Sequence, residues 1–272
     1  MGRYFITPEQ LWAAMAGGDR PRVLDVRRPE AFDADDLMVP GAVWRRHLEV
    51  GAEWRDLVPG DDVVLYCVHG HNVSQLATAT LRARGVAART LKGGIGAWRD
   101  AGLPTRRRSG LPMLPAAGGS LWVTRRRPKV DRIACPWLIR RFIDPDATFL
   151  YVEPDQVLAV ADELGAVAFD IDGAPITHEG ELCSFDVLLA RTGIEDPALY
   201  DLAGIIRGAD TARLDLAPEA AGLAALSFGI SALAGEDDHQ ALERGMALYD
   251  ALYGWRRKAP NETHNWPAAR QP

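Results

Sequence analysis

The stretch Val63-Val64-Leu65-Tyr66-Cys67-Val68-His69-Gly70-His71-Asn72-Val73-Ser74 sets the reading of the first half of the chain. A short apolar run ends in a cysteine, a tight polar loop follows, and an amphipathic segment begins at Ser74. That order predicts a buried strand delivering a thiol to a loop at a helix N-terminus. Unpaired N–H groups there point at whatever the sulfur carries, and the helix dipole favours negative charge. Such a setting lowers a cysteine's pKa and stabilises a thiolate or an anionic sulfur adduct. The plainer reading of the same residues is a buried cysteine that ends a strand.

Upstream, Thr7-Pro8-Glu9-Gln10 carries the signals of a helix start, with Thr7 as cap, Pro8 at the first helical position and Gln10 completing a capping box. Leu11, Trp12 and Met15 supply its apolar face. A strand is expected over 23–26, a partial helix from Glu30, and a turn at Pro40-Gly41-Ala42 into a short extended piece. Downstream, a helix over 74–84, a strand over 87–91, a Gly93-Gly94 turn and a helix over 95–101 continue the pattern. Strands alternating with helices imply an α/β domain, a parallel sheet flanked by helices.

These residues resemble a rhodanese domain, a sulfurtransferase module, over 4–104. The matching pieces are Asp25-Val26-Arg27, Pro40-Gly41-Ala42, the Cys67 loop with Gly70, and Leu91-Lys92-Gly93-Gly94-Ile95-Gly96-Ala97-Trp98. The resemblance implies that Cys67 is the sulfur-carrying nucleophile and cycles through a persulfide, with no cofactor required. It also implies that Asp25 and Arg27 are structural and that Trp98 belongs to the core. His69, Gly70, His71, Asn72 and Ser74 are the expected substrate-binding residues. Many rhodanese loops carry an arginine where this chain has Asn72, so His69 and His71 are left to lower the Cys67 pKa or to meet an anionic donor. Ser74 is expected to cap the following helix.

At 272 residues the chain has room for two domains of ordinary size. A 47% apolar and 25% charged composition is that of a globular protein, and a net charge of −6 gives no general attraction to nucleic acid or anionic membrane. The first residues lack the apolar core of a signal peptide, and no apolar run is long enough to span a membrane. Three widely separated cysteines do not read as a disulfide framework, so a reducing cytoplasm is the expected compartment. The Pro- and Arg-rich stretch over 105–119 is expected to link a first domain over 1–104 to a second over 120–272.

The second half changes character. Strands are expected over 122–124, 148–152 and 167–171, and a helix through Ile133, Trp137, Phe142 and Ile143 with Pro136 near its start. Further helices over 154–164, 185–191, 197–207, 218–233 and 237–257 make this domain mainly α-helical with a few strands. His178, Glu181, Cys183 and Asp186, joined in space by Asp238 and His239, form the expected metal set, with zinc, iron or manganese as the ion. Asp131, Cys135 and Asp210 could join them. Each also has a structural reading: Asp186 or Ser184 as a helix cap, Asp237-Asp238 as complements to a helix dipole, and Cys183 as a small core residue. Arg125, Arg127, Lys129 and Arg132 read either as solvated charge or as a site for an oxyanion such as chromate, sulfate or thiosulfate. No helix-turn-helix arrangement is visible, and DNA is not the favoured partner.

This half resembles the chromate-resistance ChrB C-terminal domain over about 121–258. The match is carried by Trp122-Val123-Thr124, by the run from Pro128 to Phe142, by His178-Glu179-Gly180-Glu181-Leu182-Cys183-Ser184-Phe185-Asp186, by Arg207-Gly208-Ala209-Asp210 and by Asp237-Asp238-His239. The two resemblances together imply a sulfurtransferase that takes sulfane sulfur from a small anionic donor to a thiol acceptor, coupled to a metal- or oxyanion-binding chromate-resistance domain. The alternative is a chromate- or redox-responsive regulator in which the rhodanese fold is the sensory module.

Overall fold

The structure is a computed structural model that describes residues 4–18, 20–50 and 54–262. The first part runs β1 (Phe5–Ile6), α1 (Pro8–Ala14), β2 (Arg22–Asp25), α2 (Pro29–Asp33), β3 (Leu37–Met38), β4 (Val43–Trp44), β5 (Asp62–Tyr66), α3 (Asn72–Ala83), β6 (Ala87–Leu91), α4 (Gly94–Asp100) and β7 (Arg106–Arg107). Five strands pair in the order β1-β6-β5-β2-β4, every pair parallel. The central strand β5 is buried on both faces, which is why it reads as a continuous apolar run. Alternation along it divides the core. Val64 and Tyr66 face the layer that holds Leu11, Ile95 and Trp98, whereas Val63, Leu65 and Cys67 face Ala77 and Leu81 of α3. The thiol is therefore placed on the α3 side before any loop geometry acts.

Local signals are satisfied where they were expected. The capping box forms at α1, Gln10 N donating to Thr7 Oγ1 at 3.3 Å and Thr7 N to Gln10 Oε1 at 3.1 Å. Trp98 is fully buried, donates to the Pro104 carbonyl at 2.8 Å and meets the Trp12 ring edge-on. Arg27, with no exposed surface, donates to both oxygens of Asp25, to Asp35 and to the Leu37 carbonyl. Tyr66 adds its hydroxyl to Asp25 at 2.9 Å, so one buried ionic group ties β2, β5 and the α2–β3 connection together.

The second part runs β8 (Leu121–Arg125), α5 (Asp131–Leu138), β9 (Thr148–Val152), α6 (Val157–Leu164), β10 (Val167–Ala168), α7 (Ser184–Thr192), α8 (Pro197–Asp210), α9 (Ala220–Ala234) and α10 (Asp238–Lys258). A small parallel sheet, β10-β8-β9, lies against the helices. Trp137 is the centre of the helical core, ringed by Phe142, Phe185, Tyr249 and Tyr253, and its indole N–H finds Asp250 at 2.9 Å. Pro136 lies inside α5 rather than near its start; the chain continues over 139–143 as a wider turn in which Asp144 N bonds the Ile139 carbonyl. Among the described residues no helix is long and apolar enough to cross a membrane.

The stretch over 105–119 is not a free linker. β7 pairs antiparallel with β3, and Arg108 caps the Phe32 carbonyl while its guanidinium lies 4.0 Å from the Phe32 ring. Arg106 is buried and reaches the Ala42 carbonyl, and Leu111 joins the core of the second part. The arginines are consumed by carbonyls and an aromatic face, contacts that composition does not reveal. The two parts also touch directly: Gly41 N donates to the Phe142 carbonyl at 2.6 Å, and Arg257 lies 3.9 Å from the Trp12 ring.

Candidate functional site

Strand β5 ends at Tyr66, and Cys67 follows as the first residue of the loop into α3. That helix begins at Asn72, two residues before the expected start, because His71 takes the cap position without using its side chain. Ser74 is consequently not the cap. It lies in the first turn, where its hydroxyl sits 3.2 Å from Cys67 Sγ and bonds the His71 carbonyl. The loop is clamped from the other side by α4, whose Ile95 and Gly96 N–H groups bond the carbonyls of Cys67 and Val68 at 3.0 Å.

That clamp requires Gly94. Its φ is +62°, and a Cβ there would lie 2.2 Å from the Cys67 carbonyl and 2.6 Å from Gly70 N. Gly94→Ala is expected to lose roughly 2–5 kcal/mol of stability, combining left-handed strain with a backbone clash that cannot relax. Urea unfolding checks this; a loss below about 1 kcal/mol would mean that the loop and α4 are not tightly joined.

Burial, which leaves Cys67 only 7% exposed, pushes its thiol up. The Ser74 hydroxyl and the backbone N–H groups of Ser74, His69 and His71 outweigh that, and the thiol is held below its ordinary value. The fall comes from hydrogen bonds to the sulfur. Ser74→Ala, which deletes one of them, is expected to move the pH midpoint of Cys67 alkylation to higher pH, so that less thiolate is present at neutrality. An unchanged midpoint in a rate-versus-pH series would show that the hydroxyl does not act on the sulfur.

The other substrate-binding residues expected from sequence lie around this sulfur. His69, His71 and Asn72 are exposed, the two imidazoles 6.2 Å apart, and Gly70 is buried with φ +67°. A cleft of about 690 Å³ runs beside the loop, lined by Gly70, His71, Gln75, Lys92 and Glu9 among others. Lys92 is a cation that sequence reasoning passed over. It stands inside the Leu91-Lys92-Gly93-Gly94 motif, and its place at the cleft depends on the fold.

In the second part the structure disperses most of the expected metal set. Glu181 is exposed on a turn. Cys183 caps α7, its thiol donating to Asp186 at 3.2 Å, and burial together with Asp131 and Asp186 pushes that thiol well up. Asp186 binds Arg207 at 2.7 Å, Asp238 accepts from Arg127 N, and the His239 ring packs edge-on against Tyr151. His178 is brought instead to three carboxylates: its Nε2 lies 3.1 Å from Asp210, 3.5 Å from Asp170 and 3.7 Å from Asp131. Asp131 has no exposed surface, and burial, with Asp210 and Asp170 beside it, pushes its carboxyl well above the usual carboxylate range.

The expected anion site is rearranged by the same cluster. Arg125 and Arg132 both turn to Asp170, at 2.9 and 3.3 Å, while Lys129 lies over the Phe228 ring. Asp170 carries no signal in the sequence, because it lies just after β10 with no motif around it. Its φ of +53° is the one local mark of an unusual position, and sequence does not display it.

A parallel sheet whose central strand hands a cysteine to a ring of N–H donors defines a rhodanese-like domain, and residues 7–101 match the model of that family. Residues 122–256 match the model described as ChrB, C-terminal domain. The chain is thus a rhodanese-like domain followed by a ChrB C-terminal domain. Protein ChrB of Cupriavidus metallidurans is 45% identical over 136 residues, which are 50% of this chain and 40% of that protein; the match spans well under two thirds of the relative's length. Among solved structures, a rhodanese-related protein from Thermoplasma volcanium is 25% identical, covers 38% of this chain and 96% of its own, and has a TM-score of 0.33. A thiosulfate sulfurtransferase from Pseudomonas aeruginosa is 29% identical over 38% of this chain and 19% of its own, with a TM-score of 0.32.

Proposed function

We propose that the first domain transfers sulfane sulfur through a persulfide on Cys67, in a protein of chromate resistance. The supporting observation is the surroundings of Sγ: the Ser74 hydroxyl and three backbone N–H groups converge on it at the start of α3. The thiolate attacks the outer sulfur of a small anionic donor such as thiosulfate. The donor's S–S bond breaks, and sulfite leaves with the electron pair. The same donors that hold the thiolate then hold the anionic persulfide. A thiol or cyanide attacks the outer sulfur, takes it away, and the Cys67 thiolate returns. His71 and Lys92 at the cleft offer groups for recognising an anionic donor.

The link to chromate comes from the ChrB C-terminal domain. With Arg125 and Arg132 both held on Asp170, that domain's acidic cluster is a better ligand site than its arginine run. The test of the sulfur reading is direct. The protein is incubated with thiosulfate, desalted, and analysed by mass spectrometry of the intact chain and of its peptides. One added sulfur atom on the Cys67 peptide, released by cyanide, is expected; no adduct, or an adduct on Cys135 or Cys183, would overturn the assignment.

A further inference from the structure

We propose that Asp131, Asp170 and His178, with Asp210 beside His178, form a binding site for one divalent metal ion in the second domain, independently of the sulfur chemistry at Cys67. One ligand atom from each of the first three lies within 4.8 Å of the other two. The four side chains come from four separate places: the first residue of α5, the segment after β10, the loop before α7, and the last residue of α8. The distances from His178 Nε2 to the three carboxylates are 3.1, 3.5 and 3.7 Å. Ligands about 2.1 Å from a common ion stand about 3.0 Å apart in octahedral and about 3.4 Å apart in tetrahedral coordination. One ring nitrogen can donate a single hydrogen bond, so it cannot serve three carboxylates; a shared cation can.

A second observation is the state of Asp131. It is fully buried, one oxygen accepts from Phe185 N at 3.3 Å, and its other oxygen, Oδ1, has no hydrogen-bond partner. Among the described residues neither Asp131 nor Asp210 has an ion pair with lysine or arginine. A buried carboxylate with an orphan oxygen is costly unless a proton or a cation offsets it, and one shared cation would serve Asp131 and its neighbours together. The surroundings are built to orient ligands. Arg125 and Arg132 hold Oδ2 of Asp170, and the Ser184 hydroxyl donates to its Oδ1 at 2.8 Å. Support of this kind, behind the ligand itself, is what fixes a coordinating carboxylate.

Carboxylate oxygens and one imidazole, with no thiolate, suit Mn²⁺, Fe²⁺ or Zn²⁺ rather than a soft ion. The His178 side chain is 42% exposed, so one side of the ion would face solvent and keep positions for water or for an oxyanion ligand. That open side gives the domain a way to take up an oxyanion.

The experiment uses the full chain, purified without a metal-affinity tag, stripped with a chelator and titrated with Mn²⁺ and, separately, Zn²⁺. One equivalent bound per chain by elemental analysis is expected, with a melting temperature that rises on loading and falls again with chelator. His178→Ala, a change on a partly exposed loop, is expected to weaken binding by at least ~10-fold and to abolish the chelator effect. Asp210→Asn should do the same, whereas His239→Ala should bind as the wild type does. A folded wild type that takes up no stoichiometric ion would overturn the site, and so would unchanged uptake in both His178→Ala and Asp210→Asn.

Discussion

Cys67→Ala is expected to bring thiocyanate formation from thiosulfate and cyanide down to the uncatalysed rate, a loss on the order of 10³-fold or more, as removal of a covalent nucleophile does elsewhere. Cys67→Ser should fare no better. The hydroxyl is far less nucleophilic than a thiolate, and it does not form the S–S bond on which the transfer depends. Neither change should unfold the domain. The side chain is small, it faces Ala77 and Leu81 at the edge of its cluster, and its loss removes about 1–2 kcal/mol of packing at most. Equal thiocyanate production by wild type and variant, with matching circular dichroism, would remove Cys67 from the chemistry. The mass assay then separates the remaining cases, because it reports which of the three cysteines carries sulfur.

Asp25→Ala is expected to destabilise the first domain by about 3–5 kcal/mol, the typical consequence of removing one partner from a buried ion pair. Arg27 has no exposed surface, and two of its three guanidinium nitrogens bond Asp25. Without the carboxylate, a cation and the Tyr66 hydroxyl are left in the core beneath β5. Domains of this size rarely hold more than about 5–15 kcal/mol, so the midpoint of urea unfolding should fall steeply. The double variant Asp25→Leu/Arg27→Met should recover much of that loss, because no charge is then stranded. A single-variant loss within about 1 kcal/mol would mean that water or Asp35 satisfies Arg27 unaided.

Much of the first domain could be read along the chain. The Thr7–Gln10 capping box, the alternation of Val63 to Cys67 and the glycines after β6 each act over a few residues, and such interactions are written in consecutive positions. The sequence places the start of α3 two residues late, because His71 caps it through the backbone alone, which leaves no side-chain signal. Ser74 then turned out to face the sulfur. Arg106 and Arg108 looked like linker charge, yet they bind carbonyls and a ring separated from them by more than sixty positions.

In the second domain the divide is sharper. The sequence itself determined that His178 stands in a ligand-rich stretch, and that Cys183 and Asp186 are three positions apart. That spacing builds a helix cap, so these two satisfy each other locally and leave the expected metal set. Only the tertiary structure decided what His178 meets. Asp131, Asp170 and Asp210 lie in separate elements, and their convergence depends on how α5, α8 and the small parallel sheet pack around Trp137. Helix caps and strand faces arise from neighbours in the chain. A site assembled from two helix ends and two loops arises from packing, which no short stretch of sequence contains.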